Sequence, residues 1–288
     1  MRIRFAGRTD IGKQRDHNED AILVMDSYRT IVVADGLGGH SSGHIASGLC
    51  VSTLADFFSV TVDADATWPF PYNEALTEEE NYLQTGLRLA NRRIFDRSLL
   101  AMNDFGMGTT CVGAMLSRNA RRVSIAHVGD SRAYRLRAGQ LEQLTRDHSL
   151  VSDALHAAPW MTPEEVARMP TNVITRALGI REDVLVDLYN EGTQIGDVYL
   201  LCSDGLTGVV GNEEITSIVD GAVDLEDVAN ELVDRANVYG GPDNITVALA
   251  RIDEHGPETA PRPRPSETRA APDPGIEKTD PGHDDDSG

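Results

Sequence analysis

The chain has 288 residues, of which 40% are hydrophobic and 25% are charged, so it is large enough for one substantial domain with a real core. Its formal net charge of −20 argues against binding to nucleic acid or to an anionic membrane surface, since both need clustered Lys and Arg. The three cysteines, Cys50, Cys111 and Cys202, are far apart in the sequence, which predicts reduced thiols. No apolar run approaches ~20 residues and the N-terminus has no signal-peptide core, so we expect a cytoplasmic protein that does not span a membrane.

The first 120 residues are predicted to form strands on either side of two helices. The apolar runs AILVM (21–25), TIVVAD (30–35) and TTCVGAML (109–116) are typical of strands. Between them, residues 43–58 and 78–100 repeat apolar side chains at helical spacing, which predicts two long helices. Residues 61–75, which join the two helices, are rich in Asp and Pro and are interpreted as a loop insertion.

The rest of the body continues in the same way. Five further strands and two further helices are predicted, with a hairpin turn at Gly139. The strands are 121–129, 132–139, 184–189, 197–205 and 244–252, and the helices are 213–219 and 225–236. Residues 147–180 form a mixed segment with a helix start at Pro163, which is interpreted as a flap. Paired strands followed by paired helices predict an α+β fold, with hairpin-built sheets inside and helices outside.

The last part of the chain differs in composition. Residues 254–288 are rich in Pro, Gly and acidic residues and lack apolar periodicity. We therefore expect a disordered acidic tail at 254–288 and a folded domain at 1–253.

Aspartates stand at the ends of four apolar strands. They are Asp35 in VVADG, Asp130 in HVGDSR, Asp204 in LLCSDG and Asp243 in GGPDNIT. Each alone is a common turn residue, but carboxylates at neighbouring strand ends would converge and repel one another. A divalent cation removes that repulsion, and ligation by oxygen alone favours Mg²⁺ or Mn²⁺ over Zn²⁺.

The segment GKQRDHNED (12–20) adds a cation to this set. Arg15 has two possible roles. It could form a surface ion pair with Glu19 or Asp20, or its guanidinium could bind two phosphate oxygens. With the carboxylates, it suggests metal-assisted attack of water on a phosphate ester, with two ions sharing one carboxylate.

The motifs RDHNED, ADGLGGH, MGTT, VGDSR, TRALG, SDGL and GPDNITV, in this order, resemble those of the metal-dependent, type 2C Ser/Thr protein phosphatases of bacteria. The resemblance covers residues 3 to 252. It implies a four-layer α-β-β-α sandwich, a central antiparallel β-sandwich flanked by helix pairs, with a flap subdomain. It also implies dephosphorylation of phosphoserine and phosphothreonine in proteins, two Mn²⁺ or Mg²⁺ ions and a third ion.

Carried over from the family, the resemblance assigns a role to each matching residue. Asp35 would bridge two ions, with the carbonyl of Gly36 as a further ligand, and Arg15 would bind the phosphate. The other implied ligands are Asp204 and Asp243 for the first ion, Asp130 with Asp204 for the third, Glu19 and Asp20 directly or through water, and Asn172 in the flap.

Leu37 and the histidines are relevant to proton donation, zinc binding and structural roles. Members from eukaryotes have a histidine two residues after the bridging aspartate, where this chain has Leu37, so the proton donor to the leaving group is left open. His40 and His44 have the spacing of a zinc pair, but no third ligand is evident. We interpret His40 as an outer hydrogen-bond partner, Asn244 as the residue that orients Asp243, and His127 as a core histidine.

Two other functions are compatible with the same sequence. A catalytically inactive binding module would be expected to lack one of the metal-binding aspartates, and all are present. A phosphatase dedicated to one regulatory partner is the second alternative. The prediction is a monomer that acts on phosphoprotein substrates and opposes a cognate Ser/Thr kinase, without nucleic acid or membrane.

Overall fold

Two antiparallel sheets lie at the centre of the structure, a computed structural model that describes residues 1–38, 42–60, 68–100 and 106–254. One sheet has the order β1 (Arg2–Asp10), β11 (Ile245–Asp253), β10 (Val198–Cys202), β7 (Arg132–Arg137) and β8 (Gln140–Gln143). The other has the order β2 (Asp20–Met25), β3 (Thr30–Leu37), β5 (Cys111–Leu116), β6 (Arg122–Val128) and β9 (Asp187–Gly192), and β4 (Gly108–Thr109) also pairs with β3.

Helices cover the outer face of each sheet. The long helices α1 (Gly43–Val60) and α2 (Glu78–Leu100) pack on the β3-containing sheet. The helices α5 (Asp204–Thr207), α6 (Asn212–Val219) and α7 (Leu225–Val238) pack on the β11-containing sheet. The predicted α+β, four-layer α-β-β-α sandwich is thereby confirmed.

The core has three layers of apolar side chains. Between the sheets, alternate residues of facing strands meet, among them Ile31, Val33, Tyr199 and Ala248, all fully buried. Burial of these side chains removes apolar surface from water and supplies most of the stability. Because successive strand residues point to opposite faces, the same strands also supply the two outer clusters under the helices.

Helix α1 is, by length and composition alone, apolar enough to cross a membrane. The 18 residues of α1 come close to the ~20 that a membrane span needs, whereas no apolar segment near that length was expected from the sequence. Within the domain, Ala46, Cys50 and Leu54 are fully buried in the cluster that α1 forms with α2 and the sheet. The apolar face of α1 thus packs on the domain core.

Four strands differ from the sequence prediction, and one of them, predicted at 197–205, ends at Cys202 because Asp204 begins α5. Strand β1 was not predicted, although Ile3 and Phe5 alternate with arginines and pack against the inter-sheet cluster. The predicted strand 109–116 is divided into β4 and β5 at Thr110. There the Asp35 amide donates its hydrogen bond to the Thr110 hydroxyl and not to a backbone carbonyl. The predicted strand 184–189 starts later, at Asp187, since the Leu185 carbonyl accepts a hydrogen bond from Arg176 instead.

The predicted flap leaves β8 and returns to β9. It contains α3 (Leu150–Ala157) and α4 (Pro163–Val166), and Thr162 caps α4 in a capping box with Glu165. The two stems pair where the Leu150 amide donates to the Val173 carbonyl at 2.9 Å. The predicted tail, apart from Glu254, and residues 61–67 of the predicted loop insertion lie outside the described residues, whereas residues 68–75 contain no helix or strand.

Candidate metal centre and active site

The ends of six strands meet at one edge of the sandwich and form a cleft of about 260 Å³. Nine residues of the cleft wall were singled out from the sequence for oxygen ligation, phosphate binding or positioning. They are Arg15, Glu19, Asp35, Gly36, Asp130, Asn172, Asp204, Asp243 and Asn244. Leu37, Gly38 and Ile174 complete the wall. The convergence expected from the strand-end pattern is therefore present in the structure.

The position of Asp35 is fixed through its backbone. Its amide donates to the Thr110 hydroxyl at 3.1 Å, and its carbonyl accepts from the Thr110 amide at 2.8 Å and from the Thr109 hydroxyl at 2.8 Å. At Gly36, a Cβ atom would lie 2.3 Å from the Gly43 carbonyl oxygen. Only glycine permits this close approach of the chain to the start of α1. The Asp35 side chain is thereby held at the floor of the cleft.

Glu19 and Asp20 differ in their positions. Glu19 lines the cleft, and its carboxylate accepts a hydrogen bond from the Gly43 amide at 3.2 Å. Asp20 pairs with Asp35 across β2 and β3, but it is 9% exposed and accepts from the Ser203 hydroxyl at 2.8 Å. Asp20 does not line the cleft, although its register opposite Asp35 puts the two side chains on the same face of the sheet.

The remaining carboxylates come from three other connections. Asp204 is the first residue of α5, directly after β10, and its side chain is within hydrogen-bonding reach of Asp35. Asp130 lies between β6 and β7, and Asp243 lies just before β11. Five separate chain segments thus bring carboxylates to one place, which local sequence preference alone does not require.

This crowding disfavours the ionised carboxylates. Burial and the charges of Asp20 and Asp204 raise the pKa of Asp35 well above its usual value. Burial, with the charge of Asp204, raises the pKa of Asp130 to about 6. Burial raises the pKa of Asp20 to about 6 as well, although bonds from Thr246 and Ser203 oppose this shift. The protein without metal therefore carries unfavourable charge at neutral pH that a cation would relieve.

Arg15 is the cation of the cleft. It lies in the loop between β1 and β2, and its Nη2 donates to Asp243 Oδ2 at 2.7 Å. Its side chain is half exposed, so the guanidinium is accessible from the cleft mouth. The ion-pair partner is Asp243, not Glu19 or Asp20 as the alternative interpretation of the sequence had it.

Asn244 holds the loop that carries Arg15. Its Oδ1 accepts from the Glu19 amide at 2.8 Å, and its Nδ2 donates to the carbonyls of Ile11 and His17 at 2.8 and 3.0 Å. Its backbone amide donates to Asp243 Oδ1 at 2.8 Å. The Asn244 side chain thus stabilises residues 11–19, the segment that carries Arg15. This contact was not predicted, because the two segments are far apart in the sequence.

Replacing Asn244 by Ala is expected to lower stability and weaken phosphate binding together. Unpaired buried polar groups cost about 1–3 kcal/mol, so we expect a lower melting temperature. A higher KM for a phosphopeptide should accompany it, because the loop carrying Arg15 loses its brace. Thermal unfolding and steady-state kinetics measure both effects. The exposed Asn212→Ala is the matched control, and equal behaviour of the two variants would contradict this role of Asn244.

The residues present fit divalent metal ions. Asp130 Oδ1 is buried and has no hydrogen-bond partner among the described residues, which is costly unless a cation is its partner. The cleft offers carboxylate and backbone oxygens, the donors that Mn²⁺ and Mg²⁺ prefer. No histidine or cysteine lines the cleft among the described residues, which disfavours zinc.

The histidines predicted from the sequence occupy different surroundings. His40 lies outside the described residues, so its outer role stays a prediction, and His44 is exposed on α1. His127 is 6% exposed, and its Nε2 hydrogen-bonds the Arg146 carbonyl at 2.9 Å, as expected for a core histidine. His127, His148 and Asp187 form a further cluster with metal-ligand spacing, which sequence reasoning missed because its members are up to 60 residues apart.

A helix-flanked double sheet with a carboxylate cleft and an adjacent arginine is the architecture of metal-dependent protein phosphatases. The sequence model of "Protein phosphatase 2C" matches residues 7–246, and the chain belongs to this family. It is 39% identical over 251 residues to the serine/threonine phosphatase stp of Listeria monocytogenes, covering 85% of this chain and 94% of that protein.

Solved structures agree with this assignment. The Mycobacterium tuberculosis serine/threonine phosphatase PstP/Ppp has a TM-score of 0.75 at 33% identity, covering 88% of this chain and 100% of that one. The catalytic domain of the serine/threonine protein phosphatase PstP, in complex with two manganese ions, has a TM-score of 0.73 at 32% identity. That match covers 88% of this chain and 99% of the other.

Proposed function

We propose that this protein removes phosphate from phosphoserine and phosphothreonine of proteins, using two Mn²⁺ or Mg²⁺ ions held in the cleft. The supporting observation is the convergence of Asp35, Asp204 and Asp243 with Arg15 in one cleft on the family fold. Membership in the protein phosphatase 2C family makes the chain a Ser/Thr phosphatase. The assignment of single residues is our proposal.

The proposed roles follow from position. Asp35, with the Gly36 carbonyl, would hold both core ions, and Asp204 and Asp243 would hold the first. Glu19 and Asp20 would act on the ions directly or through water: Glu19 lines the cleft, whereas the Asp20 carboxylate is buried and accepts from Ser203. A third ion is assigned to Asp130, whose buried oxygen lacks a partner.

The protein's own groups bind and orient the substrate. Arg15 binds two phosphate oxygens through its fork once it leaves Asp243, and the phosphorus then faces the floor of the cleft. The divalent ions supply a nucleophilic water near neutral pH and offset the charge of the phosphate. Leu37 lines the wall where an imidazole would be needed to protonate the leaving alkoxide, so we assign that proton to solvent water.

Replacing Arg15 by Ala is expected to raise KM for a phosphothreonine peptide more than it lowers kcat. A hydrogen bond to a charged group contributes about 1.5–3 kcal/mol, or about 10- to 150-fold in kcat/KM. Arg15→Lys keeps the charge but loses the fork and should fall between Ala and wild type. Unaltered KM and kcat in the Ala variant would refute the role of Arg15.

A panel of phosphopeptides tests the proposed substrate class. We expect release of phosphate from phosphoserine and phosphothreonine peptides in the presence of Mn²⁺, and little from phosphotyrosine peptides of matched sequence. Release from the phosphotyrosine peptides alone, or from none of the panel, would contradict the proposal.

We further propose that the chain acts as a cytoplasmic monomer that opposes a cognate Ser/Thr kinase. The resemblance to bacterial phosphatases and the strongly acidic composition support this. In this proposal, residues 1–253 are the catalytic domain and residues 254–288 are an acidic tail outside it. Dephosphorylation of an autophosphorylated kinase domain, followed by phosphoprotein staining, tests the kinase assignment.

A further inference from the structure

His148 lies at the base of the flap and is 1% exposed. Its Nδ1 accepts a hydrogen bond from the Gly129 amide at 3.0 Å, and its Nε2 lies 3.1 Å from Asp187 Oδ2. The ring of His127 stacks on it, with centroids 4.6 Å apart and an interplanar angle of 16°. The imidazole is therefore held on both edges and on one face.

The two hydrogen bonds fix the protonation of the ring. Because Nδ1 accepts from an amide, the hydrogen must be on Nε2, which donates to Asp187. A metal bound to Nε2, with Nδ1 still accepting from Gly129, would require a ring without a hydrogen on either nitrogen. The other oxygen of Asp187 is already paired with Arg176. The cluster of His127, His148 and Asp187 is therefore a hydrogen-bonded relay and not a metal site.

One end of the relay fixes the loop that carries Asp130. Gly129 has a φ of +110° and no room for a Cβ atom, which would lie 2.5 Å from Thr110 Cβ. Its amide is bound by the His148 ring, and its carbonyl accepts from the His148 amide at 2.9 Å. The backbone N–H and C=O of Gly129, the residue before Asp130, thus both bond to His148.

The other end fixes both stems of the flap. His148 begins the outgoing stem, and its carbonyl accepts from the Thr175 amide of the returning stem at 2.8 Å. Its ring holds Asp187, whose second oxygen holds Arg176 of the returning stem. The flap also carries Asn172 and Ile174, which line the cleft.

We propose that His148 is a positioning residue that couples the Asp130 carboxylate to the flap. This proposal rests on the assignment of Asp130 as the ligand of a third ion. The ring sets the Asp130 loop through Gly129, and it sets the flap wall of the cleft through Asp187 and Arg176.

Two amide variants separate the two ends of the relay. The Oδ1 of Asn can take the place of Nδ1, so His148→Asn keeps an acceptor for Gly129 but loses the donor to Asp187. The Nε2 of Gln can take the place of the ring Nε2, so His148→Gln keeps the donor and loses the acceptor. We expect the Gln variant to bind Mn²⁺ about tenfold more weakly in a calorimetric titration and to need correspondingly more Mn²⁺ for half-maximal activity, with little change in KM for a phosphothreonine peptide. We expect the Asn variant to raise that KM with little change in the Mn²⁺ requirement.

Further variants make the test decisive. Asp187→Asn leaves His148 in place and removes the charge that holds Arg176, so it should reproduce the higher KM. The matched controls are Asn and Gln at His156, which is exposed on α3 and should leave both quantities unchanged. Melting temperatures identify variants that fail to fold.

Equal effects of Asn and Gln at His148, or lower melting temperatures with both quantities unchanged, would overturn the coupling. The variant Asp130→Asn separates the role of His148 from the assignment of Asp130 to a third ion. If it raises the Mn²⁺ requirement while His148→Gln does not, only the positioning role of His148 is refuted. If Asp130→Asn also has no effect, the third-ion assignment is refuted and the coupling with it.

Discussion

Replacing Asp35 by Asn is expected to reduce kcat for a phosphothreonine peptide by about 10³-fold or more, since metal-ion catalysis supplies several kcal/mol to the transition state. Asp35 lies at the floor of the cleft, within reach of Asp204, and is the proposed bridge between two ions. Asn offers one oxygen and no charge, so it cannot bridge two cations in the same way. Steady-state kinetics in saturating Mn²⁺ measures the loss.

The same substitution is expected to stabilise the protein when no metal is bound. Burial and neighbouring charges raise the pKa of Asp35, so its ionised form is unfavourable in the folded state at neutral pH. Removing that charge should raise the melting temperature of the chelated protein. The exposed Asp183→Asn is the control and should change neither quantity. Normal activity in Asp35→Asn, or a lower melting temperature without metal, would contradict the account.

Stabilisation by Mn²⁺ is expected to be larger at pH 7.5 than at pH 5. The pKa of Asp20 and of Asp130 rises to about 6 in the folded state, from a usual value of 3.8. Between about pH 4 and pH 6 the folded state thus binds more protons than the unfolded state, and these two groups destabilise the metal-free fold as the pH rises. Above about pH 6 both are ionised and ready to bind cations, whereas at pH 5 a cation must displace protons.

Thermal unfolding of the chelated protein, with and without excess Mn²⁺, measures this linkage at each pH. Free Mn²⁺ at a hundred times its Kd would contribute about 2.7 kcal/mol, and a domain of 150–250 residues gains about 2–4 °C per kcal/mol. We therefore expect a rise of several degrees at pH 7.5 and a smaller one at pH 5. Equal stabilisation at both pH values would contradict the carboxylate cluster as the binding site.

Much of the cleft could be predicted from the sequence because strand ends are visible there. Asp35 lies near the end of the apolar strand β3 in one sheet, and Asp204 and Asp243 lie beside the ends of β10 and β11 in the other, so the packing of the two sheets brings them together. The helices were equally visible, since α1 and α2 bury apolar faces at helical spacing. Where local pattern and tertiary structure agree, the prediction holds.

Other features depend on long-range contacts that no local pattern records. Asp20 was implied as a ligand together with Glu19, yet its carboxylate is buried against Ser203 and does not line the cleft. Strand β1 was missed because its arginines mask the alternation of Ile3 and Phe5. The contacts of His148 with Gly129 and Asp187 join residues 19 and 39 positions apart, so only the folded chain shows them.

Phosphate hydrolysis is expected to depend on ions held by the carboxylate cleft. This dependence is measured by the rate of phosphate release from a phosphothreonine peptide after exhaustive chelation and dialysis, followed by titration with MnCl₂. We expect activity to be lost on chelation, to return with Mn²⁺ in the wild type, and not to return in Asp35→Asn. Hydrolysis that persists after chelation, or that Mn²⁺ restores equally in Asp35→Asn, would contradict this expectation.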